Sequence, residues 1–283
     1  MERVITEQSI RKYQEYLYEE EKSNNTIQKY IRDVRKLKSF MGNEEVTKKR
    51  MIEYKEALRG SRRYKTSSIN SYLVASNRFL EYLGWHDLRV KTCRVQKETF
   101  ASEDRDLTRE EYKRLVETAM ECGNTRLALL LQTICATGIR VSELGMITVS
   151  AVKNGAANVS CKGKERQILI PGSLQMLLLD YIQREGIDSG PVFCTSGGKV
   201  TDRSNIWKEM KSLCEEAGVE KEKVFPHNLR HLFAKTYYQV GRDIGKTADI
   251  LGHSSIETTR IYIKTPSREH RKLLEEMELV LTI

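Results

Sequence analysis

Apolar residues in the first ninety positions recur at the 3.6-residue spacing of amphipathic helices, and no stretch alternates as a strand would. Ile10, Tyr13 and Leu17 mark one face of a first helix. Ile27, Tyr30, Ile31, Val34, Leu37 and Phe40 mark a second. Met51, Tyr54 and Leu58 place a third at about 47–59. Ile69, Tyr72, Leu73, Ala75, Phe79, Leu80 and Leu83 place a fourth at about 66–83. No proline occurs before Pro171, so nothing in this region forces a break. Four such helices can close a small bundle.

The pattern then changes. Residues 92–106 are mostly polar without helical period and read as a linker. Thr108 and Glu111 form a capping box that opens a helix at Tyr112–Met120. Leu127–Ile134 is apolar almost all round, the mark of a buried helix, and it stops at Thr137-Gly138 just before Arg140. Ala156–Cys161 and Arg166–Ile170 read as two strands joined at Lys162-Gly163-Lys164-Glu165. Pro171 starts another helix, and Pro191-Val192-Phe193 is a candidate third strand. Helices follow at about 203–216, 227–239, 243–250, 256–262 and 268–277. The expectation is a mainly α chain with a small β-sheet (α+β) in two domains: an N-terminal helical bundle, 1–91, and a second domain, 107–283, joined by the linker 92–106.

Charge adds a direction. Residues 1–100 carry 22 Lys and Arg against 14 Asp and Glu, whereas the remaining 183 residues are nearly balanced at 26 against 25. The bundle therefore reads as the part that meets a polyanion, and nucleic acid is the obvious one. The second helix carries Lys29, Arg32, Arg35 and Lys36 away from its apolar face. The turn before Thr66 adds Arg62, Arg63 and Lys65 beside a helix N-terminus. Charge runs are usually solvated faces, but acids look sparse on these. Six cysteines are scattered singly with no paired spacing, and no His pair has a carboxylate or thiol at ligand distance, so no metal site or cofactor is expected. No apolar run approaches the ~18 residues of a membrane span and the N-terminus is charged, so the expected setting is a reducing cytoplasm without membrane attachment.

The candidate chemistry lies in three clusters: Thr137-Gly138-Ile139-Arg140-Val141-Ser142-Glu143-Leu144, then His227-Asn228-Leu229-Arg230-His231, then Leu251-Gly252-His253 with Tyr262 nine residues on. Two arginines can fork onto the non-bridging oxygens of a phosphodiester, imidazoles can move protons, and a phenol can attack phosphorus. Each residue has a plainer reading. Arg140 and Glu143 could be a surface ion pair, a lone histidine is usually structural, and Tyr262 could be core. Ile261 and Ile263 flank that tyrosine and could make the apolar contacts of its helix instead.

The ordered set TGxRxSEL, HxxRH, LGH and a tyrosine nine residues later resembles the tyrosine recombinase (phage integrase) family, in particular its short Xer-like members, over most of residues 107–270. The resemblance implies a SAM-like core-binding domain ahead of the catalytic domain. It implies Arg140 and Arg230 as the phosphate clamp, His227 and His253 as proton handlers, and Tyr262 as the nucleophile of a 3′-phosphotyrosine intermediate. His231 would support the site from beside Arg230, while His86 and His270 read as surface residues. The family's general acid is a hairpin lysine within GKGxKxR. Here the stretch reads Cys161-Lys162-Gly163-Lys164-Glu165-Arg166, so Lys162 aligns with the first lysine, and Lys164 takes the role if the shorter turn rotates the hairpin. The implied activity is site-specific recombination of double-stranded DNA through a Holliday junction, by a protein monomeric in solution and tetrameric on DNA. A type IB topoisomerase and a non-catalytic architectural DNA binder are the alternatives. The apolar residues from Leu273 to Ile283 must bury against either their own catalytic domain or a neighbour's, and the expectation is docking on a neighbouring protomer on DNA and folding back in cis in the free monomer.

Overall fold

The computed structural model describes residues 3–94, 106–161, 164–195, 197–263, 271 and 274–277. The chain forms two compact units, Met1–Lys97 and Glu98–Ile283. Residues 95–105 of the expected linker and most of the expected helix at 268–277 lie outside the described residues.

The first unit is built from α1 (Glu7–Glu19), α2 (Asn24–Met41), α3 (Lys48–Gly60) and α4 (Thr66–Tyr82). Thr6 and Ser9 cap α1 reciprocally, each side chain accepting from the other's backbone N–H. α2 lies against α1 and α4, and α3 against α4. Ile10, Tyr13, Ile31, Val34, Leu37, Met51, Tyr54, Leu73, Phe79 and Leu80 are all buried, so the apolar stripes meet in one core. Tyr30, Phe40, Tyr72 and Leu83 sit only half-buried at its edge, because large side chains at the rim of a stripe reach the surface.

Two amides on α4 do a job the periodicity does not reveal. Asn77 pairs with both backbone groups of Val90, donating to its carbonyl (2.8 Å) and accepting from its N–H (3.0 Å). Asn70 does the same for Cys93, at 2.9 and 2.7 Å. An extended segment with no strand to pair with is thus held by side chains mimicking one. Asn77→Ala leaves two part-buried backbone groups at Val90 without partners, so it should destabilise the first unit by about 1–3 kcal/mol. Chemical denaturation of the full chain checks this, with the exposed Arg78→Ala as a comparison expected to change little.

In the second unit α6 (Thr125–Thr137) is the central element, packed on α5 (Arg109–Glu121), α8 (Gly172–Arg184) and α10 (Pro226–Gly241). Leu127 through Leu131 and Ile134 are buried, as an all-round apolar helix requires. Thr108 and Glu111 form the expected capping box. After a 3₁₀ turn at Val141–Met146 come α7 (Val149–Lys153) and an antiparallel hairpin, β1 (Ala156–Cys161) and β2 (Lys164–Leu169), in register from Ala156↔Leu169 to Cys161↔Lys164. Lys164 and Glu165 therefore belong to a strand and not to the expected turn. α9 (Arg203–Ser212), α10, α11 (Ile244–Leu251) and α12 (Ile256–Tyr262) complete the described helices.

Pro191-Val192-Phe193 is not a third strand. Val192 and Phe193 are buried, but the segment makes only an isolated bridge, Thr148↔Pro191, and the described sheet has two strands. Pro191 has no N–H to donate, and one bridge does not propagate a ladder.

Candidate active site

Two glycines let the backbone of the second unit converge. Gly138 ends α6 in the left-handed region (φ 62°), and a Cβ there would lie 2.4 Å from the Phe233 ring. Gly252 ends α11 the same way (φ 61°), and its Cβ would lie 2.3 Å from Arg166 Cδ. Both positions therefore require glycine on two counts, conformation and space.

Around them three arginines and one carboxylate form a cage. Glu143 is buried, and it bonds Arg140 Nη1 at 2.9 Å and Arg166 Nη2 at 2.6 Å. Its Oε2 also accepts from the Arg140 backbone N–H at 3.0 Å. The surface-pair reading of Arg140 and Glu143 thus fails, because the carboxylate is only 5% exposed and holds a second guanidinium. Burial pushes its pKa up, but the Arg140 backbone N–H, Arg166 and the Arg140 side chain outweigh that and hold it below the ordinary glutamate value. Arg140 Nη2 donates to the Gly252 carbonyl at 3.2 Å, and Arg166 Nη1 to that of Ile250 at 3.0 Å. Arg230 is 3% exposed; it donates to the carbonyls of Gly138 and Leu251. Burial, then Arg140 and Arg166, lower its pKa, yet it stays charged at neutral pH. Three guanidiniums face one carboxylate among these groups, so the cage has an excess positive charge that suits a phosphodiester.

Tyr262 is brought to this cage. Its ring centroid lies 5.3 Å from that of His227, 5.2 Å from His231 and 5.1 Å from His253. It is 8% exposed and clusters with Ala234 and Leu251, while Ile261 beside it is 64% exposed. Tyr262 faces inward with Thr259 and the half-buried Ile263, while Ile261 faces solvent, and the tyrosine ring lies beside the three imidazoles. His253 is locked at both nitrogens. Nε2 lies 3.2 Å from Arg230 Nη2, and a guanidinium only donates, so Nε2 accepts and Nδ1 carries the proton toward Thr259 Oγ1 at 2.9 Å. His227 keeps an open edge to solvent, although packing around the rest of the ring, then His231 and Arg230, lower its pKa.

Lys162 lies outside the described residues. Lys164 begins β2, with its side chain also outside them. Arg166, the last residue of the hairpin motif, is a further component of the cage. Its signal is weak in sequence, since only the fold puts β2 next to Gly252. His86 is exposed, and His270 lies outside the described residues.

The basic residues of the first unit divide into two kinds. Arg35, Arg62, Arg63 and Lys65 are exposed, and α4 starts after Lys65 with no side-chain cap. Lys29 and Arg32, by contrast, pair with Asp33 at 2.9 and 3.2 Å, and Asp33 is 1% exposed. That face therefore holds a buried acid beneath its lysine and arginine. Lys36 donates to Tyr64 and sits over the rings of Tyr64 and Tyr72, at 3.9 and 4.3 Å from their centroids.

Burial, then Arg230, Arg140 and Arg166, depress the His253 pKa from 6.5 to about 4. The unfolded chain takes up this proton at higher pH than the folded one, so the stability is fully present above 6.5 and is lost as pH falls toward about 4. Thermal melts should show a declining midpoint across that window, and His253→Asn should make the decline shallower. An identical slope in the variant would assign the decline to other groups.

No described helix is long and apolar enough to cross a membrane. The family model "Phage integrase family" matches residues 105–268, and "Phage integrase, N-terminal SAM-like domain" matches residues 10–87. Tyrosine recombinase XerA of Pyrococcus furiosus is 27% identical over 288 residues, covering 99% of this chain and 97% of that protein. Tyrosine recombinase XerC of Herpetosiphon aurantiacus is 32% identical over 219 residues, covering 71% and 70%. A solved lambda integrase tetramer bound to a Holliday junction has a similar fold, with a TM-score of 0.73 at 17% identity over 92% of this chain and 77% of that one. With the cage, the buried tyrosine and the matched motifs in one unit, the chain belongs to the phage integrase family and is a tyrosine-type site-specific DNA recombinase.

Proposed function

We propose that Tyr262 attacks a DNA phosphodiester held by Arg140 and Arg230, forming a 3′-phosphotyrosine and releasing a 5′-hydroxyl. The observation that carries this reading is the seating of the Tyr262 ring among three imidazoles beside an excess of guanidinium charge. A phosphorane bears more charge on its equatorial oxygens than the diester does, so fixed guanidiniums lower the barrier more than they tighten binding. Carbonyls of Gly138, Leu251 and Gly252 anchor the two guanidiniums, and their remaining N–H groups are left for the phosphate. His227, with its open edge, is suited to a non-bridging oxygen, and His253 holds Arg230. Lys162 is assigned to protonate the departing 5′ oxygen. The aryl phosphodiester conserves the energy of the cut bond, so rejoining to a partner strand needs neither nucleotide cofactor nor metal.

Residues 1–91 serve as the core-binding domain and 107–283 as the catalytic domain, joined by 92–106. Arg35, Arg62, Arg63 and Lys65 contact DNA phosphates, with Lys29, Arg32 and Lys36 contributing where Asp33 and the tyrosines leave them charge to spare. Exchange proceeds in the cytoplasm on double-stranded recombination sites, through a Holliday junction within a tetramer assembled from monomers. The fold shared with a lambda integrase solved as a tetramer on such a junction supports the assembly. Leu274 and Met277 are 64% and 54% exposed, and the catalytic unit carries a cavity of 660 Å³ lined by Tyr112, Phe233, Tyr237 and Val240. That cavity is the proposed seat for the C-terminal segment of a neighbouring protomer.

Tyr262→Phe removes only the nucleophilic oxygen. It should abolish covalent attachment to nicked duplex DNA while leaving binding within a few-fold, as read by denaturing gels beside a mobility shift. A persistent adduct would move the nucleophile elsewhere, with Tyr237 and Tyr238 the next to test.

A further inference from the structure

The three imidazoles around Tyr262 are at similar distances but in different states. His253 uses both nitrogens, one on Arg230 and one on Thr259. His227 has no hydrogen-bond partner among the described residues, so nothing fixes its tautomer. His231 is different. Its Nδ1 lies 3.1 Å from Asp106 Oδ1, and the other oxygen of Asp106 accepts from Lys235 Nζ at 2.7 Å. Asp106 is the residue from which the second unit's described chain begins, two positions before the cap of α5. His227, His231 and Lys235 follow one another at i, i+4 spacing, so one face of α10 carries all three.

We propose that His231 is the general base for Tyr262, and that Asp106 is its positioning carboxylate. This rests on the reading of Tyr262 as nucleophile. An ionised carboxylate only accepts, so Nδ1 of His231 carries the proton and Nε2 keeps its lone pair on the other edge of the ring. Nε2 takes the phenolic proton as Tyr262 Oη bonds to phosphorus and the bond from phosphorus to the 5′ oxygen breaks. That oxygen leaves with a proton from the general acid. In rejoining, the 5′-hydroxyl of the incoming strand attacks phosphorus and gives its proton to the now deprotonated general acid, the bond from phosphorus to Tyr262 Oη breaks, and the imidazolium returns its proton to that oxygen.

Three features favour this assignment over His227. A tyrosine phenol in water titrates near ~10, so attack near neutral pH needs a base, and at 8% exposure Tyr262 has little water around it to serve as one. The positive charge that forms on His231 is met by Asp106 at 3.1 Å, whereas a charge on His227 would face His231 and then Arg230, and one on His253 would face Arg230, with no carboxylate bonded to either ring among the described residues. And although burial opposes it, His231 and Lys235 hold the Asp106 carboxyl down at about 2, so the anion is present throughout the working range.

The test is single-turnover cleavage of a nicked suicide duplex, its sequence selected from a random library by covalent trapping with the native chain. His231→Asn should slow covalent attachment by about 10²–10⁴-fold, and Asp106→Asn should slow it in the same direction. Placing 2,3-difluorotyrosine at position 262 lowers the phenol's pKa and with it the need for a base. It should restore the rate in His231→Asn and Asp106→Asn by a larger factor than it changes the rate of Arg140→Ala. A purely structural role for the pair would not be rescued by fluorination. His231→Asn cleaving near the native rate, or gaining no more from fluorination than Arg140→Ala, overturns the proposal. If His231→Asn does not melt as a folded protein, the same comparison in Asp106→Asn decides. Tyr262→Phe separates the two levels: a surviving adduct there sinks the nucleophile assignment itself, whereas a lost adduct with a native rate in His231→Asn sinks the relay alone.

Discussion

A buried carboxylate holds the site together. Glu143 reaches Arg140 at 2.9 Å, the Arg140 backbone at 3.0 Å and Arg166 at 2.6 Å, so one anion fixes two guanidiniums from different parts of the chain. Without it, Arg140, Arg166 and the buried Arg230 would repel one another with no counter-charge among these groups. With it, they are held together but not neutralised. A buried pair of this kind adds little to stability on its own, because desolvation consumes most of the attraction. What it supplies is fixed geometry around excess positive charge, which is what binding a phosphorane requires.

The rest of the second unit keeps that geometry from relaxing. α6 is apolar almost all round and packed on three helices, so its C-terminus, where Gly138 turns the chain toward Arg140, has little freedom. Gly252 presses on Arg166, and the carbonyls at the end of α11 accept from all three arginines. The C-terminal end of a helix is rich in unpaired carbonyls and carries negative partial charge. Here that end of α11 meets guanidiniums, and the next helix, α12, returns Tyr262 to the same spot. Tyr262, the proposed nucleophile, and the guanidiniums proposed to hold the phosphate are therefore ordered by one set of contacts.

Much of this was legible in the sequence because it depends on local spacing. The helices of the first unit follow from apolar periodicity, and the hairpin from two short runs about a Lys-Gly turn. Arg140, His227, Arg230, His253 and Tyr262 stand in ordered motifs, and the fold brings the five together. What was not legible depends on the third dimension. Asp33 reads as one acid in a basic helix, and only burial reveals it under Lys29 and Arg32. Arg166 ends the hairpin motif, but nothing in that spacing points to Glu143, and Asp106 belongs to no motif and lies far along the chain from His231. Pro191-Val192-Phe193 has strand composition, but a strand needs a neighbour, and none of sufficient length lies beside it.

The most direct test of this account is Glu143→Gln, which keeps the side chain's shape and removes its charge. Covalent cleavage of a nicked duplex and binding to the same duplex are measured side by side. Cleavage is expected to fall by about 10²–10³-fold, the scale for losing a preorganised transition-state contact, while binding stays within a few-fold. Cleavage at the native rate in a folded Glu143→Gln protein would contradict it, since the arginines would then be ordered without the carboxylate.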